Sequence, residues 1–397
     1  MRTCYVVPGI LGSQLYTGDD ATISDRVIWV NLTQLALGLF PALALAPNGV
    51  DPLPPHGALC HVGQPLPDYY GTLASTLHAD LGPLGYQVRP FGYDWRKAIF
   101  GQGEFLAADI LNFATPEDPC SIVAHSQGGL VARSAWAILV ASGKSNLVRR
   151  IVTLGTPHRG SYAPVMVWSL QEELISQLAF ACNALGGLIA GDFGIIPAPY
   201  TSPLDLTKVT ATWPAFYQML PLIDSLSAIG DPLRPELFQL DNWPADRQLS
   251  SLHLSSSSTT WQAFLRNPLS MPPAEVLTTV GGTGRTTPWE LRDVEELGDP
   301  VAIAMTSSGD TRVTLDSSLV LPGYAAVFPC GHADIINFPS LLSGIAGMVL
   351  AERAPGPPPL QPVEDLSNGL VIQFGPPIRG NVTATTFVDC RSGMCSC

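Results

Sequence analysis

Short apolar runs and amphipathic stretches alternate along most of this chain. Residues 3–7, 86–91, 121–124 and 150–154 read as strands, each apolar and bounded by glycine, proline or polar residues. Between them, residues 70–81, 104–113 and 127–142 carry apolar side chains at helical spacing, the last stretch rich in alanine and leucine. Apolar strands separated by helices of this length predict an α/β fold, a mostly parallel sheet with helices on both faces. Strand patterns return at 276–280, 301–306 and 324–328, and a last helix is expected from about 339 to 351.

From about Pro164 the rhythm changes. Residues 165–190 are long, apolar and helical in pattern, and the stretch up to Asn267 is rich in proline, serine and tryptophan. This matches an inserted cap better than more sheet. The expected organisation is a core in two parts, 1–163 and 271–354, interrupted by a helical cap or lid over 164–270. A stiff proline-rich linker and a cysteine-containing tail complete the chain over 355–397. No internal repeat is visible. The apolar stretches 31–46 and 165–190 leave two readings open: lid helices that touch a lipid surface transiently, or helices that pack on the core.

A length of 397 residues allows one large core plus a cap, or two to three ordinary domains. With 46% hydrophobic and 13% charged residues the chain is globular rather than disordered. Its 20 basic and 33 acidic residues give a net charge of −13, which argues against nucleic acid and anionic lipid as partners. The longest apolar run, 32–46, is fifteen residues and contains Pro41, whereas a membrane span needs about 20. No transmembrane segment is expected. The first residues run straight into a strand pattern with no signal peptide in view, so the compartment stays open between the cytoplasm and the outside of the cell, the latter for a trimmed mature chain. Cys4, Cys120 and Cys182 fit core positions as free thiols, while the tail cluster Cys390, Cys395 and Cys397 is where a disulfide would form.

The chemistry centres on Ile122-Val-Ala-His-Ser126-Gln-Gly-Gly. A sharp strand-to-helix turn strains its central serine and needs small residues two before and two after, here Ala124 and Gly128. This is the nucleophile-elbow pattern with alanine in the first position. A serine hydroxyl attacks only when a histidine takes its proton and a carboxylate orients that histidine. In chain order the acid and then the base should come after the serine. His158 comes too early, and His253 lies in a serine-rich loop of the cap. His332, between the last strand and the last helix, is the expected base. Asp310, in the polar turn Ser307-Ser-Gly-Asp after 301–306, is the expected acid, with Asp316 and Asp334 as rivals. Two backbone amides must receive the oxyanion. Gln127 is expected to give one and Ile10 the other, with Leu11 as the fallback.

Val7-Pro-Gly-Ile-Leu-Gly-Ser, Tyr93-Asp-Trp-Arg, Ala124-His-Ser-Gln-Gly, Leu154-Gly-Thr-Pro-His-Arg-Gly-Ser and Thr212-Trp-Pro-Ala-Phe-Tyr-Gln-Met-Leu-Pro occur in that order. In series they resemble the lecithin:cholesterol acyltransferase family, which includes lysosomal phospholipase A2 and phospholipid:diacylglycerol acyltransferases. The resemblance implies an α/β-hydrolase fold with a helical cap, a Ser-Asp-His triad, acyl-ester chemistry on lipids, and neither metal nor other cofactor. Where that family shows Gly-Asp-Gly-Thr-Val at the acid, this chain has Gly309-Asp-Thr-Arg-Val.

Three functions are compatible with these residues: hydrolysis of an ester or lipid, transfer of its acyl group to an alcohol, or binding by an inactive hydrolase fold. The intact serine, aspartate and histidine weigh against the third. Other motifs carry less. Gly281-Gly-Thr-Gly-Arg-Thr lacks the lysine ending of a phosphate loop and reads as a turn. The tail has three thiols and no histidine, a poor zinc set. Arg96 reads as half of a structural ion pair. Oligomeric state, acyl chain and head group are not legible.

Overall fold

Strand β1 (Arg2–Val7) turns Cys4 and Val6 to one side and Tyr5 and Val7 to the other, and all four are buried. That alternation places the strand inside a sheet with a core on each face. The computed structural model describes residues 1–17, 27–29, 40–52, 60–172, 177, 179–180, 202–221, 235–291, 297, 303–351 and, as backbone only, 370–373.

The next strands are β2 (Ser13–Thr17), β3 (Val27–Trp29), β4 (Cys60–Pro65), β5 (Tyr86–Pro90), β6 (Cys120–His125) and β7 (Val148–Leu154). After them come β8 (Leu277–Gly282), β9 (Thr287–Leu291), β10 (Ile303–Thr306), β11 (Tyr324–Phe328) and β12 (Leu370–Gln373). Seven of these form one sheet in the order β12-β11-β8-β7-β6-β1-β5. All its pairings are parallel except β11 with β12, which is antiparallel. Helices α1 (Pro67–Leu81), α2 (Ile99–Phe113) and α3 (Gln127–Ala141) are the early crossovers. Tyr70, Leu73, Leu77 and Leu81 of α1 bury one helical stripe in the same cluster as Cys4, Val6 and Val123. The other face, with Tyr5, Val7, Ile122 and Ala124, is covered by α2 and α3. Helices lie on both faces, as the alternation predicts.

The strand order reverses around β1. The chain runs from β1 to β5 on one side and then returns to β6 on the other. The carboxyl ends of β1 and β6 flank this switch point, the place where open parallel sheets bind ligands.

Several expectations need correction. The predicted strand at 301–306 is β10, and it pairs with β9 in a separate antiparallel two-stranded sheet, not with the central one. A short apolar strand such as Ile303-Ala-Met-Thr306 reads the same in sequence wherever it pairs. Of the helix expected over 165–190, the described residues show α4 (Ala163–Trp168), which ends before Leu170 at φ 58°, and helical backbone again at residues 177, 179 and 180. Residues 173–176 and 181–201 lie outside the described residues, as does the apolar stretch 31–39. His253 is not in a loop but in α7, after α5 (Pro203–Thr210) and α6 (Pro214–Gln218). Helix α7 (Ser251–Ser256) is capped by the Ser250 side chain. The three-stranded sheet β3-β2-β4 and the edge strand β12 escaped the sequence reading. The rest of the tail, with its three cysteines, lies outside the described residues.

The insertion's described parts pack directly on the core. Arg133 of α3 donates to the carbonyls of Ser270 and Leu265, and the Trp213 indole donates to Leu43 O. Arg96 is fully buried, with Asp94 and Asp51 each 2.7 Å from its Nη2. Lys97 reaches the second oxygen of Asp51 at 2.6 Å. Among the described residues no helix is long and apolar enough to cross a membrane. Cys4, Cys60, Cys120 and Cys330 are free thiols.

Candidate active site

Strand β6 is buried over its whole length and ends at His125, and α3 begins at the second residue beyond it. The single residue between them, Ser126, must turn the chain, and it does so at φ 53° and ψ −126°. A non-glycine residue holds such a conformation only where its surroundings impose it. They do: the Ser126 amide donates to Leu154 O of β7, and Gly129 N donates back to Ser126 O. Close approach explains Gly128, where a Cβ would stand 2.3 Å from Pro8 O. The first loop therefore rests on the elbow itself.

Ser126 Oγ lies 2.8 Å from Nε2 of His332, and the Nδ1 of that ring lies 2.8 Å from Asp310 Oδ2. Both ring nitrogens are occupied. The other carboxylate oxygen of Asp310 accepts from the amides of Val313 and Arg312 at 2.7 and 3.0 Å. Only 1% of Asp310 is exposed, so these donors replace the water that an ionised carboxylate would otherwise require. Asp310 reaches this place although β10 is outside the central sheet. The turn after β10 folds onto the segment after β8: Arg285 N donates to Gly309 O, and Arg285 bridges to Asp310. Thr311 stands at φ 92°, in the region of positive φ that favours glycine, and its amide donates to Thr287 Oγ1.

The rival acids lie elsewhere. Asp316 is exposed and paired with Arg159, and Asp334 is exposed in the turn after the histidine. His158 is fully buried, with Nε2 3.2 Å from Thr153 Oγ1, and burial pushes its pKa well below the ordinary histidine value. His253 packs against the Tyr217 ring at 5.3 Å.

The two residues expected to give oxyanion amides come from the elbow and from the loop packed against it. Gln127 is the first residue of α3, where a helix leaves its N–H groups without an internal acceptor. Its side chain is held by Tyr93 Oη and by the carbonyl of Trp95. Gly9 packs so tightly that a Cβ there would meet Ser126 Cβ at 2.9 Å. The Gly9 carbonyl accepts from Gly12 N at 3.1 Å, and in a trans peptide this aims the Ile10 N–H the opposite way. Leu11, at φ 61°, is fixed by the Trp29 indole, which donates to its carbonyl.

Sequence reading missed two buried neighbours. Tyr70 Oη accepts from the Gly9 amide at 2.8 Å and lies 2.8 Å from His125 Nδ1. His125 Nε2 lies 3.1 Å from the carbonyl oxygen of His332. His125 was visible inside the elbow motif, but nothing in the α1 sequence marks Tyr70 apart from the other apolar positions of its stripe.

No family model matches the chain. A 96-residue stretch, 24% of the chain, is 34% identical to a triacylglycerol lipase of Pseudarthrobacter phenanthrenivorans, covering 28% of that protein. A triacylglycerol lipase of Burkholderia plantarii matches at the same identity and covers 25% of its length. The chain thus spans about a quarter of the curated relatives it matches. Among solved structures, a chain in the crystal structure of the Tle4-Tli4 complex superposes with a TM-score of 0.51 at 12% identity, over 88% of this chain and 98% of that one. With its parallel sheet, covering helices and strand-to-helix elbow, this chain has the α/β-hydrolase fold.

Proposed function

We propose that the protein is a serine hydrolase of carboxylic esters, acting on lipid-like acyl groups. One observation carries the reading: a single ring, His332, stands 2.8 Å from both a strained serine and a buried aspartate. Ser126 Oγ attacks the ester carbonyl while His332 Nε2 takes its proton, and Asp310 holds the ring and stabilises the imidazolium. The amides of Ile10 and Gln127 receive the oxyanion. His332 then protonates the leaving alcohol, an acyl group remains on Ser126, and water activated by the same ring releases it. Partial identity to two triacylglycerol lipases supports an ester-linked acyl substrate.

The resemblance to lecithin:cholesterol acyltransferases adds a second reading, in which an alcohol replaces water as acyl acceptor. The same serine and histidine serve both, and the difference lies in how well the pocket excludes water. Products from a panel of p-nitrophenyl esters, triacylglycerols and phospholipids, with and without a long-chain alcohol, test both. Free fatty acid as the main product supports hydrolysis, and an alkyl ester as the main product supports transfer. Release of neither by the intact chain would overturn the enzyme reading and leave an inactive lipid-binding fold.

A further inference from the structure

Hydrogen-bond bookkeeping around His125 fixes more than its position. Tyr70 Oη accepts from Gly9 N–H, so its single proton is free for the acceptor on its other side, His125 Nδ1. Nδ1 is then unprotonated, and the ring carries its proton on Nε2, which donates to the carbonyl oxygen of His332. Every donor meets one acceptor along the series Gly9, Tyr70, His125, His332. Tyr70 is 3% and His125 4% exposed, so water does not compete for these groups.

We propose that Tyr70 and His125 are positioning residues that act as one unit, tying the amide-bearing Gly9-Ile10 loop to the main chain of the base His332. The proposal rests on the hydrolase reading of Ser126, Asp310 and His332. Its physical content is preorganisation. The oxyanion amide and the base come from opposite ends of the sequence, and their relative placement must hold within a fraction of an ångström for attack to be efficient. The chain of bonds also needs an uncharged His125. His332 becomes a cation as Ser126 attacks, and a second imidazolium with its ring centre 4.9 Å away would oppose that charge. Burial and the neighbouring His332 both push His125 well below the ordinary histidine range, consistent with a neutral ring.

Steady-state kinetics on the full chain test this, using wild type, Tyr70→Phe, His125→Asn and the double variant with one p-nitrophenyl ester. Each single change should lower kcat on the order of tenfold, the scale of one hydrogen bond. KM should stay within about twofold, because the loss falls on geometry rather than binding. The double variant should be no slower than the worse single variant by more than about threefold, since a broken chain cannot be broken twice. Unchanged single variants, or losses that multiply to about a hundredfold, would overturn the proposal. Nitrogen-15 histidine NMR of the wild type supplies a readout independent of the variants' folding. His125 should show protonated Nε2 and bare Nδ1 between pH 6 and 8, and the opposite tautomer or a charged ring there would sink the assignment. If the wild type is active and labelled at Ser126 while the variants match it, only the positioning role falls. A wild type that neither cleaves esters nor takes a fluorophosphonate overturns the hydrolase reading, and the positioning role with it.

Discussion

Asp310 and His332 are joined twice. The His332 amide donates to the carbonyl of Asp310 at 2.6 Å, while the ring of the same histidine meets its carboxylate at 2.8 Å. The main-chain bond fixes where the ring begins and the side-chain bond fixes how it turns, so acid and base are set as one piece.

Asp310→Asn should therefore keep the fold and lose the chemistry. An amide in place of the carboxylate favours the wrong histidine tautomer, and the analogous change in a serine protease costs about 10⁴ in kcat. Asp316→Asn removes an exposed partner of Arg159 and should change stability by no more than about 0.5 kcal/mol. Kinetics of the two variants side by side decide between the acids. A dead Asp316→Asn beside an active Asp310→Asn would reverse the assignment.

Ser126→Ala should abolish ester cleavage, and a fluorophosphonate should label Ser126 in the wild type as read by peptide mass spectrometry. The melting temperature should hold or rise slightly, because Ser126 sits at φ 53° and a smaller side chain adds no strain. Labelling at another serine would remove the nucleophile from the proposal.

Thr311→Gly is expected to stabilise. A β-branched residue at φ 92° carries strain of about 1–3 kcal/mol, against about 0.5–1 kcal/mol for the extra unfolded-state freedom of glycine. The net gain should be about 1 kcal/mol, a rise of about 2 °C in melting temperature. Activity should be unchanged, since the amide that reaches Thr287 is kept. Calorimetry showing a lower melting temperature would mean that the threonine side chain makes a compensating contact.

Acid should loosen the Arg96 cluster. Burial alone raises the Asp51 carboxyl, but Lys97 and Arg96 outweigh it and hold the group below its ordinary 3.8. A carboxyl depressed in the folded state gives its full stabilisation above the unfolded pKa and loses it as pH falls through the folded one. Its contribution should be level from neutral pH to about 5 and fall away below about 4. Asp51→Asn should cost up to about 3 kcal/mol at pH 7, where Arg96 keeps only Asp94, and show a shallower loss toward pH 3. Urea unfolding at pH 7 and 3.5 measures both, and parallel losses in the two proteins would exclude Asp51 as the sensitive group.

What the linear chain determined is local. Periodicity set the central strands and their crossover helices, because a strand buried on both faces and a helix with one buried stripe leave distinct marks within ten or fifteen residues. The elbow was legible for the same reason: Ala124, Ser126 and Gly128 meet a steric demand that spans five consecutive residues. Tertiary structure alone decided which distant groups meet. β10 reads as one more strand, yet it pairs outside the sheet, and Asp310 reaches His332 only because its turn docks on the segment after β8. Tyr70 looks like any apolar position on α1 until the fold sets its hydroxyl between Gly9 and His125. Such contacts join residues 22 to 207 positions apart. No local propensity encodes them; they arise from burying both faces of one sheet, which brings the carboxyl ends of its strands to a common edge.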